Sequence, residues 1–359
     1  MRTRVVVYVA GLLVVAALAG VVTWRIVGAR STYEDALDTL PSDTLRARYT
    51  AWSEVRARAD GGSLGAGSSR AQVSAFLDRA FDLDLVSGSG VHESTYALMR
   101  RYGFSPLDAR WEVLGQSREG QVDVMRLDDD VDMAGIERAL LRLGYSPPPG
   151  GSGSGGTWAG GPDLVARIDD DLTPVQQNFV VLPDEKLVLM SDSTAYVEAA
   201  ASVATGSADS LTDDDGVADL ASTTQDPVAA VQWASTFACE DLSMGKADDE
   251  DQRVADRLVD RAGKISPLDG LVMAQQADRS MVVGMHFETS AQASSNLQSR
   301  VDLASGDAPG QGGSFADRFR VTSAEADGRN VVLELEPRTE DAVLSDVSVG
   351  PVLFATCRR

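Results

Sequence analysis

WEVLGQSREGQVDVMRL, Trp111 to Leu127, is the stretch on which the reading of the fold turns. It divides into two runs, RWEVLG and QVDVMRL, in which apolar and polar residues alternate, separated by the turn-rich QSREG. Alternation with a period of two marks strands, and a short polar break between two such runs marks a hairpin. The pattern returns in LVMAQQADRSMVVGMHF, Leu271 to Phe287. An offset of 160 lays one stretch on the other without a gap, so that Val122 meets Val282, Met125 meets Met285 and Leu127 meets Phe287.

The segments flanking each hairpin follow the same order. Upstream of the first, TLRARYTAW (Thr44 to Trp52) reads as a strand and AQVSAFLDRAF as a helix, with Val73, Phe76, Leu77 and Ala80 on one face. A further helix fits Ser94 to Arg101. Downstream, DMAGIERALLRLG places Met133, Ile136, Leu140 and Leu143 at helical spacing, with Asp132 as N-cap and Gly144 as stop. PPPGGSGSGG then breaks regular structure, DLVARID, NFVVLP and KLVLM read as strands, and AYVEAAASVA reads as a helix. In the second half the order is PVAAVQWA as strand, DQRVADRLVDRAG as helix, the hairpin, SAQASSNLQSRVDLASG as helix, a Gly-rich DAPGQGG, and the hairpin RFRVTSAEADG with NVVLELE. The pentamers GGTWA (Gly155 to Ala159) and GGSFA (Gly312 to Ala316) fall at the same junction at an offset of 157. The pattern predicts an α+β fold: an N-terminal transmembrane helix, then two tandem related units, each a mostly antiparallel sheet with helices on one face. The boundaries are a cytoplasmic stub over 1–4, an anchor over 5–27, a juxtamembrane stalk over 28–42, a first repeat over 43–207 and a second over 208–359.

The anchor expectation rests on Val5 to Trp24, twenty residues without a charge, bracketed by Arg2, Arg4 and Arg25. A helix of that length spans about 30 Å of hydrocarbon. An uncleaved anchor predicts a single-pass cell-membrane protein with a large extracytoplasmic domain. Ala17-Leu18-Ala19 offers a signal-peptidase-like site as the rival reading. The remainder of the chain is strongly acidic: the net charge is −22, yet the first thirty residues hold four Arg and no acid. Such a surface repels phosphate backbones and argues against nucleic acid. Expected partners are the membrane, through the N-terminal helix, and an envelope protein.

Cys239 and Cys357 are the only cysteines; an oxidising compartment would pair them across a long loop, and the alternative is two separate buried thiols. His-Glu at 92–93 fails the zincin pattern because Tyr96 stands where the second His is required. His286 falls opposite Arg126 in the repeat alignment, which predicts a solvent-facing position. Acidic runs at 128–132, 169–171, 213–215 and 248–251 fit helix N-termini and solvated turns. An EF-hand read through Asp213 and Asp215 fails at Leu211 and Ser222. Gly151, Gly153 and Gly156 fit a G-x-G-x-x-G spacing but follow prolines rather than a strand. No catalytic, cofactor-binding or metal-ligating residue is assigned. Trp158 and Phe315, beside the Gly-rich loops at 147–161 and 306–313, are candidate contact residues or, alternatively, plugs for the ends of their repeats.

LPSDTLRARYTAWSEVR, Leu40 to Arg56, lies directly after the anchor and stalk. It resembles the start of the exported domain in uncharacterised single-pass envelope proteins of GC-rich Gram-positive, actinobacterial-type bacteria. The resemblance implies location and layout, and no activity. Together these observations predict a non-enzymatic binding or scaffolding protein of the cell envelope. Two alternatives stand beside it: a ligand-binding accessory subunit with a pocket between the repeats, and a hydrolase with two carboxylates about 5–10 Å apart in a cleft.

Overall fold

In the computed structural model, which describes residues 30–338 and 342–357, eleven strands form one antiparallel sheet. In chain order they are β1 Arg46–Thr50, β2 Ala109–Gln116, β3 Gln121–Leu127, β4 Trp158–Ala159, β5 Asn178–Leu182, β6 Leu187–Ser191, β7 Ala229–Ala234, β8 Gly270–Gln275, β9 Met281–His286, β10 Phe319–Asp327 and β11 Asn330–Pro337. Across the sheet the order is β10-β11-β9-β8-β7-β1-β2-β3-β6-β5-β4. The two halves of the chain therefore share a sheet, joined where β1 pairs antiparallel with β7.

Helices cover both faces of this sheet, not one face as the sequence pattern predicts. They include α1 Thr32–Leu37, α2 Trp52–Arg58, α3 Arg70–Asp82, α4 Met133–Leu143, α5 Pro162–Ile168, α6 Thr194–Ala204, α7 Asp215–Thr223, α8 Asp249–Ala262, α9 Ser290–Ala304 and α10 Val343–Val347. On one face α1, α6 and α7 bury Tyr33, Leu37, Val197 and Leu220 against Val113, Val124, Leu189 and Val272, a single core that runs through both halves. The opposite face carries two cores. One packs α2, α3 and α4 against Met125, Phe179 and Met190; the other packs α8 and α9 against Leu271, Met273, Met285 and Leu333. Strands whose two sides are both covered read as near-continuous apolar runs, as in β5, β6 and β8, where alternation carries no information about sidedness.

Several local expectations are met for the reasons given. Asp132 accepts the Gly135 amide at 3.0 Å, and Gly144 ends α4 at φ +102°. Asp248 caps α8 and Asp214 caps α7, placing two of the acidic runs at helix N-termini. Asp128, Asp129, Asp169 and Asp171 pair with arginines at the surface.

Others are corrected. DLVARID is α5, not a strand: Pro162 sits at its first turn, and Leu164 and Val165 are buried. Tertiary packing outweighs the β-propensity of its branched residues. Residues 32–40, read as part of a stalk, belong to the folded body. Ser31 and Glu34 close a capping box, and Tyr33, Ala36, Leu37 and Leu40 are buried.

The gapless match of the two hairpins is also corrected. Gln116 pairs with Gln121 across four residues, whereas Gln275 pairs with Met281 across five. With Met125 matched to Met285, Glu112 falls on Leu271 and Leu114 on Met273. The gapless offset would reverse the face of every side chain in β2.

The membrane expectation is corrected as well. Among the described residues no helix is long and apolar enough to cross a membrane. The stub and the candidate anchor over 5–27 lie outside the described residues, and the single-pass, extracytoplasmic localisation is not carried forward.

Candidate functional site at the centre of the sheet

The strip between the two cores on the second face belongs to β1. Ala47 and Tyr49 point into the single core on the other side, so Arg46 and Arg48 point into the gap between the cores. Arg48 lies directly opposite Val231 of β7 and Leu114 of β2. A cleft of about 290 Å³ opens over this strip. Arg46, Arg48 and Val231 line its floor. One wall is the segment Asp84–Ser87 with His92, and the other is Ser345, Ser348 and Val349 from the C-terminal segment. Phe81 and Val349, which are 63% and 61% exposed, stand at its rim.

The wall is held by the loop that crosses β1. Gly88 lies so close to the sheet that a Cβ there would come within 2.0 Å of the Tyr49 carbonyl oxygen, so only glycine permits the crossing. Arg48 Nη2 donates to the Ser87 carbonyl. The opposite wall is tied across the seam. Asp84, at φ +58° and buried, accepts the Leu344 and Ser345 amides at 2.8 and 3.2 Å and the Ser345 hydroxyl at 2.5 Å. Burial pushes the Asp84 carboxyl above its ordinary range, against the pull of these hydrogen bonds.

Beside the floor, on the same face of the sheet and under the loop, lies a buried carboxyl pair. Glu112 Oε2 accepts Trp52 Nε1 at 2.6 Å and the Ser89 hydroxyl at 2.8 Å, and Oε1 accepts the Gly90 amide at 2.5 Å. Asp123 is fully buried, and neither of its oxygens receives a hydrogen bond from a donor group. Burial pushes its carboxyl well above the usual range, the Glu112 charge adds to this, and Arg48 opposes it. The consistent chemistry is a neutral Asp123 carboxyl beside the hydrogen-bonded Glu112. Both acids are sealed beneath the loop and do not line the cleft.

The two arginines differ in their commitments. Arg46 donates from Nε to Gln116 at 2.9 Å and from Nη1 to Asp241 at 2.9 Å. Asp241 is held below its usual range by the Trp233 indole, Arg46 and Lys246, although burial acts in the opposite direction and is the largest single influence. Arg48 makes no ion pair within 4.0 Å among the described residues, and the Ser87 carbonyl is its one hydrogen-bond partner there. Burial pulls its guanidinium down, as does the charge of Arg46, while the Glu112 charge pulls it up. The remaining donors of its fork are uncommitted. The His92 ring contributes a buried Nδ1 without a partner.

The residues singled out in the sequence lie elsewhere. Cys239 and Cys357 form a disulfide, with Cα atoms 5.4 Å apart, in the core of the second half. Trp158 and Phe315 are 1% and 0% exposed and sit in the two cores of the second face, so neither ring is offered at the surface. His286 is buried at 1% exposure rather than solvent-facing, with Nδ1 2.6 Å from Asn330 Oδ1. It is covered by α7, an element the sequence pattern did not reveal; Gly216 lies against the imidazole. Among the described residues no group of three or more His, Cys, Asp or Glu is placed to hold a metal ion. A larger recess of about 840 Å³ lies at the hairpin edge of β9 to β11, where Asp278, Glu334 and Glu336 are solvated. The chain matches no family model, no curated protein and no solved structure.

Proposed function

We propose that this chain is a non-enzymatic binding protein built from two tandem related units, 43–207 and 208–359, whose recognition site is the cleft at their seam. The strand order supports the duplication: outward from the seam one half runs β1-β2-β3-β6-β5 and the other β7-β8-β9-β11-β10. The registers agree with it. If Leu114 corresponds to Met273, then Arg48, paired with Leu114, corresponds to Val231, paired with Met273. Arg48 and Val231 are also partners of each other, so the approximate two-fold axis passes between them, through the floor of the cleft.

Along that axis the halves differ in chemistry. Where the second half has Val231, Leu271 and Val283, the first has Arg48, Glu112 and Asp123. A buried charge is costly and persists where other groups compensate it. The observation that carries the reading is Arg48, a largely covered cation with unused donors facing a cleft between the units. Interfaces between units are a preferred place for small ligands. This favours ligand binding over bare scaffolding. The Glu112–Asp123 pair, sealed from the cleft, gives no support to hydrolysis.

The test is a small-molecule fragment screen read by amide chemical-shift perturbation. Ligands that perturb Ser87, His92 and Val231 support the reading. Hits confined to other surfaces, or none at all, count against it.

A further inference from the structure

Resting on that reading, we propose that the seam cleft takes a small apolar monocarboxylate, its carboxylate on the Arg48 guanidinium and its apolar part between Phe81 and Val349.

The anion follows from the donors. A guanidinium presents five N–H groups in a planar fork matched to a carboxylate, and at Arg48 only Nη2 is engaged, by the Ser87 carbonyl. Nearby acids do not fill this role. Glu112 spends its oxygens on Trp52, Ser89 and Gly90. Asp84 spends its own on residues 344 and 345, and Asp241 is taken by Arg46, Trp233 and Lys246. Of these, Glu112 favours the charged form of Arg48 without occupying its fork.

The same background selects against a dianion. A phosphate would bring two charges to one uncommitted arginine beside several carboxylates in a chain of net charge −22. A carboxylate brings one.

The apolar part follows from the rim. Phe81 and Val349 are two of the three large hydrophobic side chains exposed among the described residues, and both edge this cleft. Val86 and Val231 continue the apolar lining inward. At about 290 Å³ the cleft lies at the small end of the roughly 300–1,000 Å³ typical of small-molecule pockets. That suits an aryl- or alkyl-substituted short-chain acid. The C-terminal residue of a peptide ending in an apolar side chain presents the same groups.

The test uses the full chain and five probes: 3-phenylpropionate, its primary amide, 3-phenylpropylamine, and a short peptide ending in Phe with a free or an amidated C-terminus. Affinities are measured by titration of amide chemical shifts. The expected result is that 3-phenylpropionate binds at least tenfold more tightly than its amide and that the amine does not bind. Arg48→Gln should abolish the preference for the acid. Val349→Glu, on an exposed side chain, should weaken the acid at least tenfold without lowering stability, and it serves if Arg48→Gln fails to fold. Preference for the free-ended peptide over both its amidated form and the small acid identifies a chain terminus as the ligand. The reverse order identifies a free acid.

Equal affinity for acid and amide, with shifts mapping to the cleft, overturns the carboxylate assignment and leaves the seam reading standing. Acid binding indifferent to both substitutions places the ligand elsewhere and overturns both. No binding by any probe overturns the carboxylate assignment, and the fragment screen then decides the seam reading.

Discussion

Replacing Arg300 by Met tests how this fold secures its C-terminal segment. Arg300 projects from α9 and is fully buried without an ion pair among the described residues. Its Nη1 donates to the carbonyls of Phe354 and Thr356 at 2.8 and 2.6 Å, and Nη2 donates to that of Ser266 at 2.7 Å. The guanidinium carbon lies 5.7 Å from the Phe287 ring centre, and Nε has no partner. Burial alone pulls its pKa down to about 9. Three charge-assisted hydrogen bonds contribute about 1.5–3 kcal/mol each, set against a desolvation cost of several kcal/mol for the ion. Met has similar length and restores the apolar contacts, but it leaves three carbonyls without a donor, at about 1–3 kcal/mol for each that water cannot reach. Loosening of 354–356 recovers part of that loss. The expected net effect is a destabilisation of about 3 kcal/mol, read from urea unfolding at an unchanged slope. The segment bearing Cys357 should loosen too, so the disulfide should be reduced faster in the variant. An Arg300→Met protein as stable as the parent, with unchanged disulfide reactivity, would refute the reasoning. It would mean that desolvation outweighs the carbonyl bonds.

Four further outcomes follow from the same structure. Asp123 has a folded-state pKa raised above its unfolded value, so its contribution is fully present below the unfolded carboxylate pKa of about 4 and is lost as pH rises through the folded value. Asp123→Asn should flatten this component: the parent should gain stability relative to the variant as pH falls from 7 toward 4, and parallel stability curves would count against a protonated Asp123. Gly88→Ala must displace the loop from the Tyr49 carbonyl and should cost about 1–3 kcal/mol, whereas Gly62→Ala, with nothing within 4 Å of the added carbon, should be near neutral. Reducing the Cys239–Cys357 bond reopens a separation of 118 residues and should cost about 4–5 kcal/mol on loop-entropy grounds, measured as the unfolding difference with and without reductant. Trp158→Ala and Phe315→Ala should each cost about 3–5 kcal/mol as buried aromatics; surface-like effects below about 0.5 kcal/mol would contradict their placement in the cores.

Most of the elements were legible because each carries a local signal. Periodicity located β1, β7, both hairpins and helices α3, α4, α6, α8 and α9, while Asp132 and Gly144 marked the ends of α4 through capping chemistry. The second covered face was not legible. Its helices α1 and α7 are short, and the strands beneath them are apolar on both sides, so no alternation declared which side was free. The site was hidden for a related reason. Arg48, Glu112 and Asp123 occupy inward positions, but the one-residue difference in hairpin length is invisible in a gapless match, which pairs Glu112 with Val272 on the opposite face. A charged residue on the same side of a strand as Leu114 and Met125 was the available signal.

The sequence by itself determined the α+β composition, the acidic net charge and most of the strands and helices in their order along the chain. These depend on neighbours within a few residues or on totals. Only the tertiary structure decided that the halves join edge to edge through β1 and β7, that helices cover both faces, that the two cysteines pair, and that Arg48 stands beside a buried acid pair with donors to spare. Those facts depend on register and burial, which long-range backbone pairing sets and which a shift of a single residue reverses.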